Sequence, residues 1–365
     1  MKLKSVKAHC LVEYQRSTAT VIDDAARAIR KDPEFREKYH AFTCMAYDPS
    51  RRLLFCGTTN FANDLLQAFD PATGRFECMR YQDFGETYEI KIHRALELGD
   101  DGMLYGATSC LHDVDERHRA PGGKVFRFDP ERRAFDLLCI PKAHDYIQTI
   151  TLDSKRRMIY GMNYPVFEFF AYSMDKNEVM YSQYMGSITH IGAVDDDGGY
   201  WGTWGYGHKL FRYDPATNEV DFLAHGLPTG CDSLMYKGAG PIDCMINGLD
   251  GFMYIGGEKG ELFKLHPGTG EVTYLGRPVP ANRLPGLALG PGGVIYGVGG
   301  DDDKTTLFAY DRSTGAFTVL GPVHDPQRGA CFRPHDLKLV DHTLFVGETD
   351  NPRRTCYLWE CTLAG

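Results

Sequence analysis

The sequence predicts an all-β fold, a seven-bladed β-propeller with a short N-terminal helical segment. Three observations predict it. First, a strand-ending glycine, often directly after an aromatic residue, recurs at Gly57, Gly106, Gly161, Gly202, Gly256, Gly297 and Gly347. The spacings are 49, 55, 41, 54, 41 and 50 residues, the size of a four-stranded blade. Second, a strand of the type Leu-Phe-x-Tyr/Phe-Asp follows the glycine. The copies Gly198–Leu223, Gly251–Leu275 and Gly293–Leu320 are the clearest. Third, turns such as Asp70–Gly74 (DPATG) and His266–Gly270 (HPGTG) place Pro and Gly where tight hairpins accept them.

Each element follows from this frame. Polar and apolar residues alternate along Val125-Phe126-Arg127-Phe128 and Leu210-Phe211-Arg212-Tyr213, the pattern of half-buried strands. The blades fall at about 40–80, 90–140, 144–184, 187–226, 240–277, 283–321 and 332–363, within a single domain of residues 1–365. The last blade shows about three strands, and the alternating stretch Lys4–Glu13 can supply the fourth. Ile22–Lys38, beginning near Asp23 and Asp24 and interrupted at Pro33, reads as a helix capping the propeller.

A chain of 365 residues exceeds the usual single-core domain. A repeat fold escapes that limit because each unit buries its face on its neighbours. The net charge of −9 and the lack of a basic run argue against nucleic-acid binding. An anionic ligand would need a locally positive site. No apolar run is long enough to span a membrane. Met1–Gln15 lacks a signal-type apolar stretch, so the expected location is the cytoplasm. The 11 cysteines form no CxxC pair and read as free thiols.

Residues just before an inner strand and just after the second strand share one rim of a propeller. Positions 12 to 17 residues before the blade glycines hold His40, His93, His144, His190 and His335, five of the 13 histidines. The two remaining blades place Asp243 and Arg283 there. The long blade-two loop Thr108–Lys124 adds His112, Asp113, Asp115, Arg117 and His118, and long loops in compact folds carry function. Tyr164, Trp204, Glu258, Asp301 and Glu348 follow second strands on the same rim. Trp201 reads as inter-blade packing. Nucleotide-binding, zinc-protease and serine-hydrolase motifs are absent.

The segment Tyr146–Tyr172 (YIQTITLDSKRRMIYGMNYPVFEFFAY) resembles the third-blade signature of seven-bladed propeller polysaccharide lyases of the ulvan lyase, rhamnose–glucuronate type. Related propellers include α-L-rhamnosidases. The resemblance implies catalysis by a histidine pair, here His93 and His112, and by a tyrosine, here Tyr164. It also implies an arginine that binds the substrate carboxylate. The expected region holds Met180 and Tyr181 instead, so Arg94, Arg283 or Arg333 would take that part. His40 corresponds to a key histidine of the rhamnosidases. His144, His190, Trp204 and His335 complete the expected substrate-binding set.

Such a lyase removes the proton at C5 of a uronic acid and expels the group on O4. A cation or acid at the carboxylate stabilises the developing charge, a near-neutral imidazole takes the proton, and a tyrosine protonates the leaving oxygen. The expected function is therefore β-elimination on an anionic, uronic-acid-containing oligosaccharide, with no cofactor. The alternatives are a hydrolase of rhamnosyl–glucuronate linkages, a divalent metal on the histidine ring, and a non-enzymatic binding propeller.

Overall fold

The computed structural model describes residues 2–17, 32–62, 64–109, 118–229 and 239–364. Seven four-stranded antiparallel sheets form the blades of a propeller. Blades 1 to 6 each run in chain order from inner to outer strand, beginning at Ala41, Leu96, Tyr146, Ala193, Ile242 and Gly286. Blade 7 is composite. Pro334–Val340, Thr343–Glu348 and Tyr357–Leu363 are completed on the outside by Leu3–Cys10, which runs antiparallel to Tyr357–Leu363. The two ends of the chain thus hold one sheet together, and the inner strands of blades 7 and 1 pack side by side.

Hydrogen bonds between inner strands tie neighbouring blades. Met45 N–H donates to Asp336 Oδ2 at 2.7 Å, Thr149 Oγ1 donates to the Arg94 carbonyl at 2.9 Å, and Thr151 Oγ1 donates to the Gly192 carbonyl at 3.0 Å. Apolar side chains fill the space between sheets. Trp201 of blade 4 packs among Ile242, Met245 and Ile255 of blade 5, the inter-blade role its sequence context suggested.

The repeated glycine has a steric cause. Gly106, Gly161, Gly202 and Gly297 face Phe126, Phe170, Phe211 and Phe308 across the second and third strands. Each phenyl ring lies over its glycine, where a Cβ would overlap it. Gly161→Ala is expected to destabilise the protein by ~1–3 kcal/mol through overpacking, measurable as a lower urea midpoint at unchanged slope.

One element begins later than the sequence suggests. Pro33 does not interrupt a helix; it starts one, Pro33–Lys38, at the position where its missing N–H costs nothing. Asp32 Oδ1 caps this helix by accepting from Phe35 N–H at 2.9 Å. Phe35 is buried against Tyr39 and Tyr14. Residues 22–31 of the expected helix lie outside the described residues.

The inner strands carry a second regularity. Those of blades 1, 3, 5 and 7 each hold one extra residue relative to their partners, at Thr43, Gln148, Asp243 and His335. A bulge re-aims the backbone and side chain at its position. These four bulges build the central site. Inside the ring, an axial cavity of about 340 Å³ is bounded by Cys44, Arg94, Glu97, Cys244, Asp336 and Lys338.

Burial raises the Glu97 carboxyl to about 7, with Asp336 adding to the rise and Lys338 opposing it. The folded protein therefore keeps a proton that the unfolded chain loses near its ordinary value. The stability this contributes is full below the unfolded value and is lost as pH rises through about 7. Glu97→Gln should therefore raise Tm relative to the parent more at about pH 8 than at about pH 5.

Candidate active site

Three of the five rim histidines meet at the centre of the propeller. His93 and His335 approach to 3.1 Å between their Nε2 atoms, with ring centroids 4.7 Å apart and nearly perpendicular. The His190 ring lies edge-on to His93 at 6.1 Å. All three are buried. Backbone carbonyls exposed by the bulges orient two of them. His93 Nδ1 bonds the Gln148 carbonyl and His335 Nδ1 bonds the Thr43 carbonyl, each at 2.7 Å.

Beside the imidazoles lies a buried charge cluster centred on Asp243. Arg283 grips its carboxylate with two bonds, Nε to Oδ2 at 3.0 Å and Nη2 to Oδ1 at 2.9 Å. Arg94 approaches Oδ1 at 3.0 Å and also donates to the Asp243 backbone carbonyl. His190 Nδ1 stands 3.4 Å from the same carboxylate. Burial alone would push Asp243 up, but Arg283 and Arg94 hold it well below the usual carboxylate range. It is therefore ionised and fixes both guanidinium groups. Arg94 adopts φ 48°, a left-handed backbone that a long side chain takes up at some strain.

Lys91 is a residue that the motif reading missed. It is 9% exposed, and among the described residues its ammonium has no hydrogen-bond or ion-pair partner. Burial lowers its pKa, a change opposed by Asp350 and reinforced by Arg94. The signal was present in the sequence. In the extended run Lys91-Ile92-His93, the lysine and histidine are two residues apart and project to the same side.

These cations act on the histidines. Burial first, then Lys91 and Arg94, lower His93 well below its ordinary value. His335 is lowered in the same way by burial, Arg94 and His93. His190 falls to about 4, mainly by burial. The centre thus presents neutral imidazoles beside fixed positive charge, an arrangement suited to taking a proton from a carbon next to an anionic or carbonyl group.

The other expected residues stand elsewhere. His40 Nδ1 donates to the Lys38 carbonyl, 3.2 Å away, and its Nε2 lies 3.9 Å from Asp64. His144 bonds the Ala120 carbonyl at 2.8 Å and lines a narrow cleft with Glu86, Tyr88, Glu89 and Tyr146. Neither belongs to the central cluster. Trp204 turns to the outside of blade 4, against Phe222 of the outermost strand and under Lys209. Arg333 pairs with Asp301 at 2.7 Å and Asp350 at 3.4 Å. Glu348 is a structural anchor: it is fully buried and accepts from Arg354, Trp359 and the Phe332 and Tyr357 backbone N–H groups.

Tyr164 ends the second strand of blade 3, paired in register with Tyr146 and packed on its ring at 5.4 Å. Gln148, whose carbonyl holds His93, is two residues beyond Tyr146 on that inner strand. Burial raises the Tyr164 pKa, so its phenol stays protonated. His112 lies outside the described residues. Among the described residues, no three His, Cys, Asp or Glu side chains converge in a metal-binding arrangement. The nine described cysteines are free thiols.

The β-propeller fold is shared with several solved structures. A streptogramin B lyase superposes with a TM-score of 0.65 at 12% identity, covering 99% of this chain and 98% of that one. Virginiamycin B lyase from Staphylococcus aureus gives 0.63 at 12% identity, covering 89% and 95%. A catalytically inactive form of that enzyme, with one histidine changed to alanine and quinupristin present, gives 0.65 at 10% identity, covering 99% of each chain. The likeness is one of fold. No family model matches the chain, those of ulvan lyases and rhamnosidases included, and no curated protein matches it.

Proposed function

We propose that this protein is a lyase that cleaves a carbon–oxygen bond by β-elimination at the centre of the propeller. The observation that carries this reading is the placement of His93, bonded to His335, in a buried centre where Lys91 and Arg94 supply positive charge that acts on it. Elimination needs both parts. His93 Nε2 takes the proton from the carbon next to a carboxyl or acyl group. Lys91 and Arg94 stabilise the negative charge that develops on that group's oxygen. The electron pair then forms the carbon–carbon double bond and expels the β-oxygen, which Tyr164 protonates as general acid.

The proposed substrate is a uronic-acid-containing oligosaccharide. The local positive charge in a chain of net −9 supports an anionic ligand, and the resemblance of Tyr146–Tyr172 to the ulvan lyase type supports a uronate. That streptogramin B lyases are among the structures of like fold, one of them inactive on loss of a histidine, supports elimination over hydrolysis.

The test is product analysis in water labelled with heavy oxygen, using glucuronate-containing oligosaccharides and, in parallel, a streptogramin-type antibiotic. Elimination places no solvent oxygen in either product and leaves one unsaturated. Hydrolysis places one solvent oxygen in a product and contradicts the reading. Turnover of the antibiotic alone keeps the elimination and overturns the uronate.

A further inference from the structure

The hydrogen-bond partners of the two central histidines fix their tautomers. A backbone carbonyl oxygen can only accept, so Nδ1 of His93 donates to Gln148 and Nδ1 of His335 donates to Thr43. Each neutral ring has one N–H, and in both rings it is already committed. The two Nε2 atoms, 3.1 Å apart, therefore face each other as lone pairs. Two acceptors at that distance repel, and one proton placed between them converts the repulsion into a charge-assisted hydrogen bond.

We infer that His93 and His335 act as a single base, with one proton slot between their Nε2 atoms, and that His335 is a positioning residue acting through His93. This deepens the elimination reading and rests on it. His93 Nε2 receives the proton as the substrate C–H bond breaks, and the new N–H points at the His335 Nε2 lone pair. The C–H electron pair forms the carbon–carbon double bond and the C–O pair leaves on oxygen, so the dyad gains one proton and no electrons. The leaving oxygen takes the Tyr164 proton, and passage of the dyad's proton through solvent to the Tyr164 phenolate restores both groups and empties the slot.

The surroundings keep the slot empty in the resting protein. Lys91 and Arg94 face the dyad from the segment leading into blade 2, His190 from blade 4, and Arg283 from the segment leading into blade 6. Asp243 is the counter-charge from blade 5, and it is already engaged by both arginines. Burial and these cations disfavour a resident imidazolium, while the paired lone pairs favour capture of one proton during turnover. Such a pair titrates as a unit, and a second proton would have no acceptor.

Two measurements test this. The first is nitrogen NMR of histidine-labelled, chelator-treated protein across a pH titration, without substrate. The expected result is that Nδ1 of both rings stays protonated, and that both Nε2 signals move together on uptake of one proton. Independent titration of the two rings overturns the inference, as does protonation of Nε2 with a bare Nδ1 in either ring. So does a stoichiometric divalent metal in the untreated protein whose removal uncouples the rings.

The second measurement is the pH profile of kcat/KM for His335→Phe, with His335→Gln, whose amide oxygen can still accept, as the conservative variant. Removing the facing lone pair should move the acid limb down by about 1 to 2 pH units. A uniform loss of activity with the limb unmoved would make His335 merely structural. The NMR readout needs no turnover, so the dyad is tested even where the substrate assignment fails.

Discussion

His93→Gln should lower kcat by ~10²–10⁴-fold, the usual contribution of one positioned proton-transfer group, with the fold intact. Glutamine keeps a polar group near the Gln148 carbonyl and removes only the basic nitrogen. His93 is buried and tied to the blade 3 backbone through the Gln148 carbonyl, a bond that the glutamine amide can still donate, so circular dichroism and the urea midpoint should stay close to the parent. Loss of turnover at unchanged stability is the expected pair of results. Full activity would remove the imidazole from the chemistry, whatever substrate is used.

Asp243→Ala should have the largest effect on stability. Asp243 is fully buried, and it is the shared partner of Arg283, Arg94 and His190. Removing it leaves two guanidinium groups in the propeller centre without their counter-charge. Breaking one side of a buried ion pair costs about 3–5 kcal/mol, and here one carboxylate serves two cations. The expected outcome is a large drop in the urea midpoint together with loss of activity, because Arg94 and Arg283 lose their alignment. Asp243→Asn should fall between the two forms, since an amide can still accept from one arginine.

Much of the fold could be read from the sequence because the repeated unit has a single steric cause. A glycine opposite a phenylalanine is needed wherever the second and third strands are stacked this way, so Gly106, Gly161, Gly202 and Gly297 mark the blades directly. The turn residues mark where strands reverse. Pro33 was ambiguous for a physical reason: proline both breaks a helix interior and favours the first helical position. Only the Asp32 cap decides between the two.

The site was only partly legible. Counting back from the blade glycines finds residues near the rim but does not fix which way they point. His93, His190 and His335 converge, whereas His40 and His144 bond the Lys38 and Ala120 carbonyls apart from that cluster. The difference lies in register. A one-residue bulge turns His335 and Asp243 toward the axis, and no residue type announces a bulge. Lys91 was overlooked because a single lysine carries no motif, and its burial beside His93 follows only from the closed ring.

The central claim is that the propeller centre performs an elimination. The most direct test is a continuous near-ultraviolet absorbance assay of the purified protein with a panel of glucuronate-containing oligosaccharides. The predicted result is rising absorbance from an unsaturated uronate with at least one panel member, abolished in His93→Gln. New reducing ends without absorbance, or equal absorbance from His93→Gln, would contradict it.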